Sequence, residues 1–170
     1  MIKRSICIFP SLENGNEINK LRRKYDPLHD LIPPHITLVF PFISNLSSNQ
    51  MNDHITEVLK KEKSFDIYLQ GITGADETYL FLNVKVGNDT IIRLHDKLYS
   101  GILQEFLYKR VTYIPHITVG RFNNKTDFEK GIIDTVSFET SFKTNVKEIV
   151  VETIDKEERS TVESIFKLND

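Results

Sequence analysis

A single cysteine, Cys7, is the only thiol in the chain, so neither an intramolecular disulfide nor a thiolate-rich metal cluster can form. Set in Ser5-Ile6-Cys7-Ile8-Phe9, it reads as a small buried hydrophobe. Charge of one sign is also scarce. With 22 basic and 24 acidic side chains the net charge is -2, which lacks the basic excess that binding along a nucleic-acid duplex requires. Duplex DNA is therefore excluded as a partner, and an RNA ligand would be an end or a fragment. Long apolar runs are missing too: no stretch approaches the roughly 18 apolar residues of a membrane span. The few apolar residues between Met1-Ile2-Lys3-Arg4 and Pro10 are too short for a secretory leader. A soluble, cytoplasmic protein without membrane contact is expected. No low-complexity segment or long linker divides the 170 residues, and a 39% hydrophobic content suffices for one domain or two compact lobes with a shared core.

What is present alternates between strand and helix. Residues 2–9 read as a strand, and 16–25 as a helix closed by Pro27. Pro33-Pro34 forces extended backbone into His35-Ile36-Thr37-Leu38-Val39-Phe40, a second strand that Pro41 confines to an edge or end. Ser47 or Ser48 caps a helix to about residue 61, and the β-rich stretches 65–72 and 79–86 form a hairpin. Ile92, His95, Leu98, Ile102 and Phe106 mark one amphipathic helix over 89–107. The pattern then repeats. Tyr113-Ile114-Pro115-His116-Ile117-Thr118-Val119-Gly120-Arg121-Phe122 echoes the earlier strand at an offset of 81 residues, followed by a helix over 127–133 and strands over 146–153 and 161–168. Each half offers a Pro-His-Ile-Thr strand, a helix and two strands. The expected fold is a single α+β domain over residues 1–170, bilobal and pseudo-twofold, with antiparallel sheets lining a central groove, helices outside, and one His-x-Thr strand per lobe.

Residues two apart on a strand share a face, so His35 points with Thr37 and His116 with Thr118. Brought together by a pseudo-twofold axis, the strands would set two imidazoles on opposite sides of one bound group. A neutral imidazole can then take a proton from water while a protonated one gives a proton to the leaving oxygen, an arrangement that needs no metal or other cofactor. The threonine hydroxyls can donate to phosphate oxygens. Ordinary strands with partly buried histidines are the alternative, but two Pro-His-Ile-Thr tetrapeptides in corresponding places are hard to ascribe to composition. The third His-Ile-Thr, at His54, is an internal control. Its context is helical, so His54 and Thr56 diverge, and no proline precedes them. His29, in a loop, and His95, on a helix, have no counterpart in the other half and are read as structural or solvent-facing rather than catalytic.

Together, Pro34-His35-Ile36-Thr37-Leu38 and Pro115-His116-Ile117-Thr118-Val119-Gly120-Arg121-Phe122 resemble the signature of the two-histidine phosphoesterases, in particular the 2′-5′ RNA ligase-like proteins. Ile6-Cys7-Ile8-Phe9-Pro10 and Arg23-Lys24-Tyr25-Asp26-Pro27 look like the small Firmicute-type members. The resemblance implies hydrolysis of 2′,3′-cyclic phosphates of nucleotides or RNA ends to 2′-phosphates; separately, a monomer is expected. His35 and His116 would be the catalytic pair and Thr37 and Thr118 the phosphate-binding hydroxyls. His116 is favoured as base and His35 as acid, although the pseudo-symmetry leaves that nearly even. Arg121 matches an arginine that often ends the second motif, yet strict alternation turns it away from His116. Either a bulge near Gly120 brings it inward or it serves a salt bridge. Phe40, Tyr113 and Phe122 are candidates to stack on a base, with a core role as the alternative. Competing functions are a phosphodiesterase for a 2′-5′-linked oligonucleotide or a cyclic-phosphate metabolite, and a non-catalytic module that binds RNA termini.

Overall fold

In a computed structural model describing residues 1–170, eight strands and four α-helices follow the chain in this order. They are β1 (Ile2–Ile8), α1 (Gly15–Tyr25), β2 (Ile36–Ser44), α2 (Ser48–Leu59), β3 (Phe65–Ala75), β4 (Tyr79–Val86), α3 (Asn88–Leu98), β5 (His116–Arg121), α4 (Lys125–Thr135), β6 (Phe142–Val146), β7 (Glu148–Ile154) and β8 (Ser160–Lys167). Local chemistry sets the helix ends. Ser47 and Gln50 form a capping box at α2, Asn124 accepts from Asp127 N at α4, and Arg22, Arg23 and Lys24 crowd the C-terminal turn of α1.

The helix expected over 89–107 is broken. It stops at Leu98, and a short 3-10 turn, Gly101–Phe106, follows once Gly101 has taken φ +52°. The imidazole of His54 sits beside this break and donates from Nε2 to Leu98 O at 3.0 Å, satisfying a terminal carbonyl of α3. The third His-Ile-Thr therefore supports a helix end.

Both sheets are antiparallel and four-stranded, in the orders β2-β1-β7-β8 and β5-β4-β3-β6. The lobes are thus not the two halves of the sequence. The hairpin β3–β4 lies beside β5, whereas β7 and β8 return to β1, and β6, which the periodicity did not reveal, closes the second sheet. Each motif strand is an edge strand, joined to its inner neighbour through a helix: α1 links β1 to β2, and α3 links β4 to β5. Those helices cross over, so that α1 packs against β5 and α3 against β2, and the two edge strands meet between them. One core of 27 buried residues, drawn from both sheets and from α1, α2 and α3, runs through the whole chain.

Candidate active site

Both motif strands carry the same irregularity. In β2, Val39 pairs with Ile6 and Thr37 with Cys7, leaving Leu38 as an extra residue. In β5, Gly120 pairs with Leu80 and Thr118 with Phe81, leaving Val119 extra. Two consecutive residues are buried at each bulge, Leu38-Val39 and Val119-Gly120, and the side-chain phase reverses beyond them. As a result Phe40 faces the same way as Thr37, and Arg121 the same way as Thr118. His35, Thr37, Phe40, His116, Thr118 and Arg121 all line one groove of about 850 Å³, a volume ample for a nucleotide.

Arg121 satisfies both alternatives left open by its sequence. The bulge turns it into the groove, and its Nε lies 3.0 Å from Asp26 Oδ1 at the end of α1. The other oxygen of Asp26 takes Arg22 Nε at 3.0 Å, so one buried carboxylate holds two guanidiniums. Tyr79 lies under Arg121, 5.7 Å from its guanidinium carbon to the ring centroid.

Each catalytic candidate is oriented in the same way. His35 Nδ1 donates to Pro33 O at 2.9 Å, and His116 Nδ1 donates to Ile114 O at 2.5 Å, two residues upstream in both cases. Since a carbonyl only accepts, the Nδ1 proton is fixed and Nε2 is the ring nitrogen left to exchange a proton. The prolines that stiffen each entry, Pro33-Pro34 and Pro115, stand next to or supply the accepting carbonyl. Burial lowers the pKa of both imidazoles. For His116, packed against the Phe81 ring with centroids 3.4 Å apart, the value falls to about 4, helped by the positive charge of His35 and Arg121. For His35 burial again dominates, countered by its carbonyl bond and by the negative charge of Glu152.

The aromatic candidates separate. Phe40 lines the groove beside Tyr108, ring centroids 5.5 Å apart. Tyr113 does not line it. Its hydroxyl donates to Thr37 O at 2.8 Å, and its ring stacks on His95 at 3.7 Å. His95 Nδ1 donates to Leu38 O at 2.7 Å, and Tyr99 Oη accepts from Phe40 N at 2.9 Å. Being an edge strand with a bulge, β2 has backbone groups that no neighbouring strand reaches, and these three side chains satisfy them. Phe122 also lies outside the groove, packed among Tyr25, Phe128 and Gly131. Tyr113 and Phe122 are therefore corrected from base-stacking candidates to structural ones: the ring of each is committed to packing behind a motif strand. Asp26 and Glu152 escaped the sequence reading. Only Glu152 left a signal, an acid directly after the apolar run Ile149-Val150-Val151 of β7.

A profile described as the 2′-5′ RNA ligase superfamily matches residues 10–158 of this chain. The chain belongs to that family. A protein of Geobacillus sp. strain WCH70, provisionally named a phosphoesterase, is 33% identical over 125 residues, covering 71% of this chain and 69% of its own. One from Bacillus licheniformis, named likewise, is 30% identical over 122 residues, covering 71% of each. Among solved structures, E. coli LigT in apo form superimposes with a TM-score of 0.65 at 16% identity, over 99% of this chain and 98% of that one. A Thermus thermophilus protein gives 0.65 at 15% identity, over 98% of each. Membership makes this chain a two-histidine phosphoesterase, a hydrolase, and the structural likeness extends to the whole α+β fold. No helix is long and apolar enough to cross a membrane.

Proposed function

We propose that this protein hydrolyses 2′,3′-cyclic phosphates of nucleotides or RNA ends to 2′-phosphates. The supporting observation is the pair of equivalent imidazoles in one groove, each pinned through Nδ1 with Nε2 free, and each followed on the same face by a threonine. Water attacks phosphorus and passes its proton to one Nε2, while the other gives its proton to O3′ as the P–O3′ bond breaks. Thr37, Thr118 and the guanidinium of Arg121 donate to the non-bridging oxygens, where charge accumulates. The phosphate, bound between the rings, favours the charged form of the imidazole that serves as acid. Nucleotide recognition is in keeping with solved complexes of E. coli LigT with 3′-AMP, NADP+ and ATP, although those show the relative's ligands.

Phosphorus NMR of 2′,3′-cyclic AMP and a short RNA with a cyclic-phosphate end, incubated in chelator, tests the proposal. Wild type and His54→Ala are expected to give a 2′-phosphate; His35→Ala and His116→Ala should lose roughly 10²–10⁴-fold in rate. Binding by every variant with no product from wild type would overturn the hydrolase and leave a module for RNA termini.

A further inference from the structure

The groove that holds the two histidines has a neighbour. A second cavity, of about 790 Å³, meets it at Ile32 and Ser160, which line both. To this second cavity α1 contributes Asn16, Lys20 and Arg23, which recur at helical spacing on one face, and the turn from β7 to β8 contributes Arg159. Direct contacts tie the two spaces together. Ser160 N donates to Leu31 O at 2.9 Å, and the Ser160 hydroxyl donates to Glu152, which lines the groove. Pro33, whose carbonyl accepts from His35 Nδ1 at 2.9 Å, lines the second cavity, as does Pro34. The cavity therefore adjoins the groove on the His35 side.

Its volume suits a ligand, and its lining says of what kind. Apart from the two prolines only Leu31 and Ile32 are apolar, too little to bury a base or an acyl chain. The charged side chains sort by partner. Glu17 is taken by Lys20 at 2.7 Å, and Asp30 lies 3.1 Å from His29 Nε2. Glu158, which precedes Arg159 in the chain, is taken by Lys3 of β1 at 2.7 Å. The buried Asp26, beyond α1, is engaged by Arg22 and Arg121. Arg23 and Arg159 are thus left exposed in the cavity with no carboxylate as partner.

A polar cavity with two uncommitted guanidiniums, continuous with a groove built for phosphate, matches a chain of phosphodiesters. We propose that this cavity binds the backbone of an RNA whose cyclic-phosphate end lies in the groove, with Arg23 and Arg159 holding phosphates upstream of that end. This rests on the hydrolase reading above and deepens it, since it makes RNA chains better substrates than mononucleotides. A net charge of -2 permits such binding because the cations are concentrated along one path, Arg23 and Arg159 in the cavity and Arg110 and Arg121 in the groove.

Steady-state rates on 2′,3′-cyclic AMP and on a short RNA with a cyclic-phosphate end test this in wild type, Arg23→Ala, Arg159→Ala and the double variant. Both arginines are exposed, so the variants should fold. Wild type should prefer the RNA in kcat/KM, and the double variant should lose roughly tenfold of that preference, through KM rather than kcat. Its salt dependence on RNA, read between about 50 and 200 mM, should flatten by about 0.7 in logarithmic slope for each phosphate contact removed. No preference in wild type, or a preference unchanged in the double variant, would overturn the proposal. So would a 5′-phosphorylated cyclic mononucleotide that recovers the whole advantage of the RNA, because a single terminal phosphate would then fill the cavity. Absence of turnover on every substrate would refute the hydrolase reading instead. Affinity for a fluorescent RNA with the same end then decides for the cavity: a fall of the same size in the double variant supports it, and undiminished affinity overturns it.

Discussion

In the proposed reaction two nitrogen atoms carry the chemistry, and the sign of their titration can be predicted. With His116 as base and His35 as acid, the assignment favoured from the family resemblance, turnover requires His116 neutral and His35 protonated. His116 is held down to about 4, so the acid limb of kcat/KM should lie near pH 4. His35 is lowered from its ordinary value, so the alkaline limb should lie below about 6.5, the unperturbed value. A pH profile with its optimum on the acid side of that value is the expected outcome; a flat profile up to pH 9 would show that no histidine acts as acid in the free enzyme. The Asp26 carboxylate has a different task, keeping Arg121 in place and Arg22 compensated. Asp26→Ala would strand Arg22, 1% exposed and already with Nη1 unpaired, and should cost about 3–5 kcal/mol in denaturant unfolding. The histidines and threonines were legible because their spacing repeats. Asp26 and Glu152 were not, since each depends on a residue of a distant strand or helix for its place.

At the scale of elements, the bulge decides which side chains reach the groove. Alternation placed the first three residues of each motif, His to Thr, and failed at the fifth after the histidine, because a single extra residue inverts the side chains that directly follow it. Nothing local in Leu38-Val39 marks that insertion; the register of β1 and β4 imposes it. The supports behind β2 are testable. Tyr113→Phe removes the donor to Thr37 O and should lower stability by about 1 kcal/mol, with a larger fractional loss of turnover than His54→Ala, because Thr37 is held through that bond. His54→Ala should cost about 1 kcal/mol, by freeing Leu98 O, while turnover persists. Thermal melts alongside rates separate the two. The helix over 89–107 looked continuous because its apolar period survives the break; only the positive φ at Gly101 betrays the 3-10 turn.

For the whole molecule, the duplication was legible and its wiring was not. Two similar runs of strand, helix and strands suggest lobes made from successive halves, yet the first lobe joins the two ends of the chain and the second its middle. Helix exchange between lobes, α1 onto β5 and α3 onto β2, binds the groove walls into one core, so the site and the fold should be lost together. Three buried or half-buried imidazoles, His35, His95 and His116, have lowered pKa values. A base lowered on folding binds fewer protons in the native state. Its contribution is present above the unfolded value of about 6.5 and is lost as pH falls toward the native one. The melting temperature should therefore decline below about pH 6.5, and a phosphate-bearing ligand should lessen that decline by favouring the imidazolium.

The central claim is that His35 and His116 act on one transition state. Steady-state rates of wild type, His35→Ala, His116→Ala and the double variant on 2′,3′-cyclic AMP address it directly. Each single substitution should reduce kcat/KM by roughly 10²–10⁴-fold, and the double variant should lose far less than the product of the two, as residues that work as a unit do. Near-native turnover by either single variant would contradict the paired acid and base.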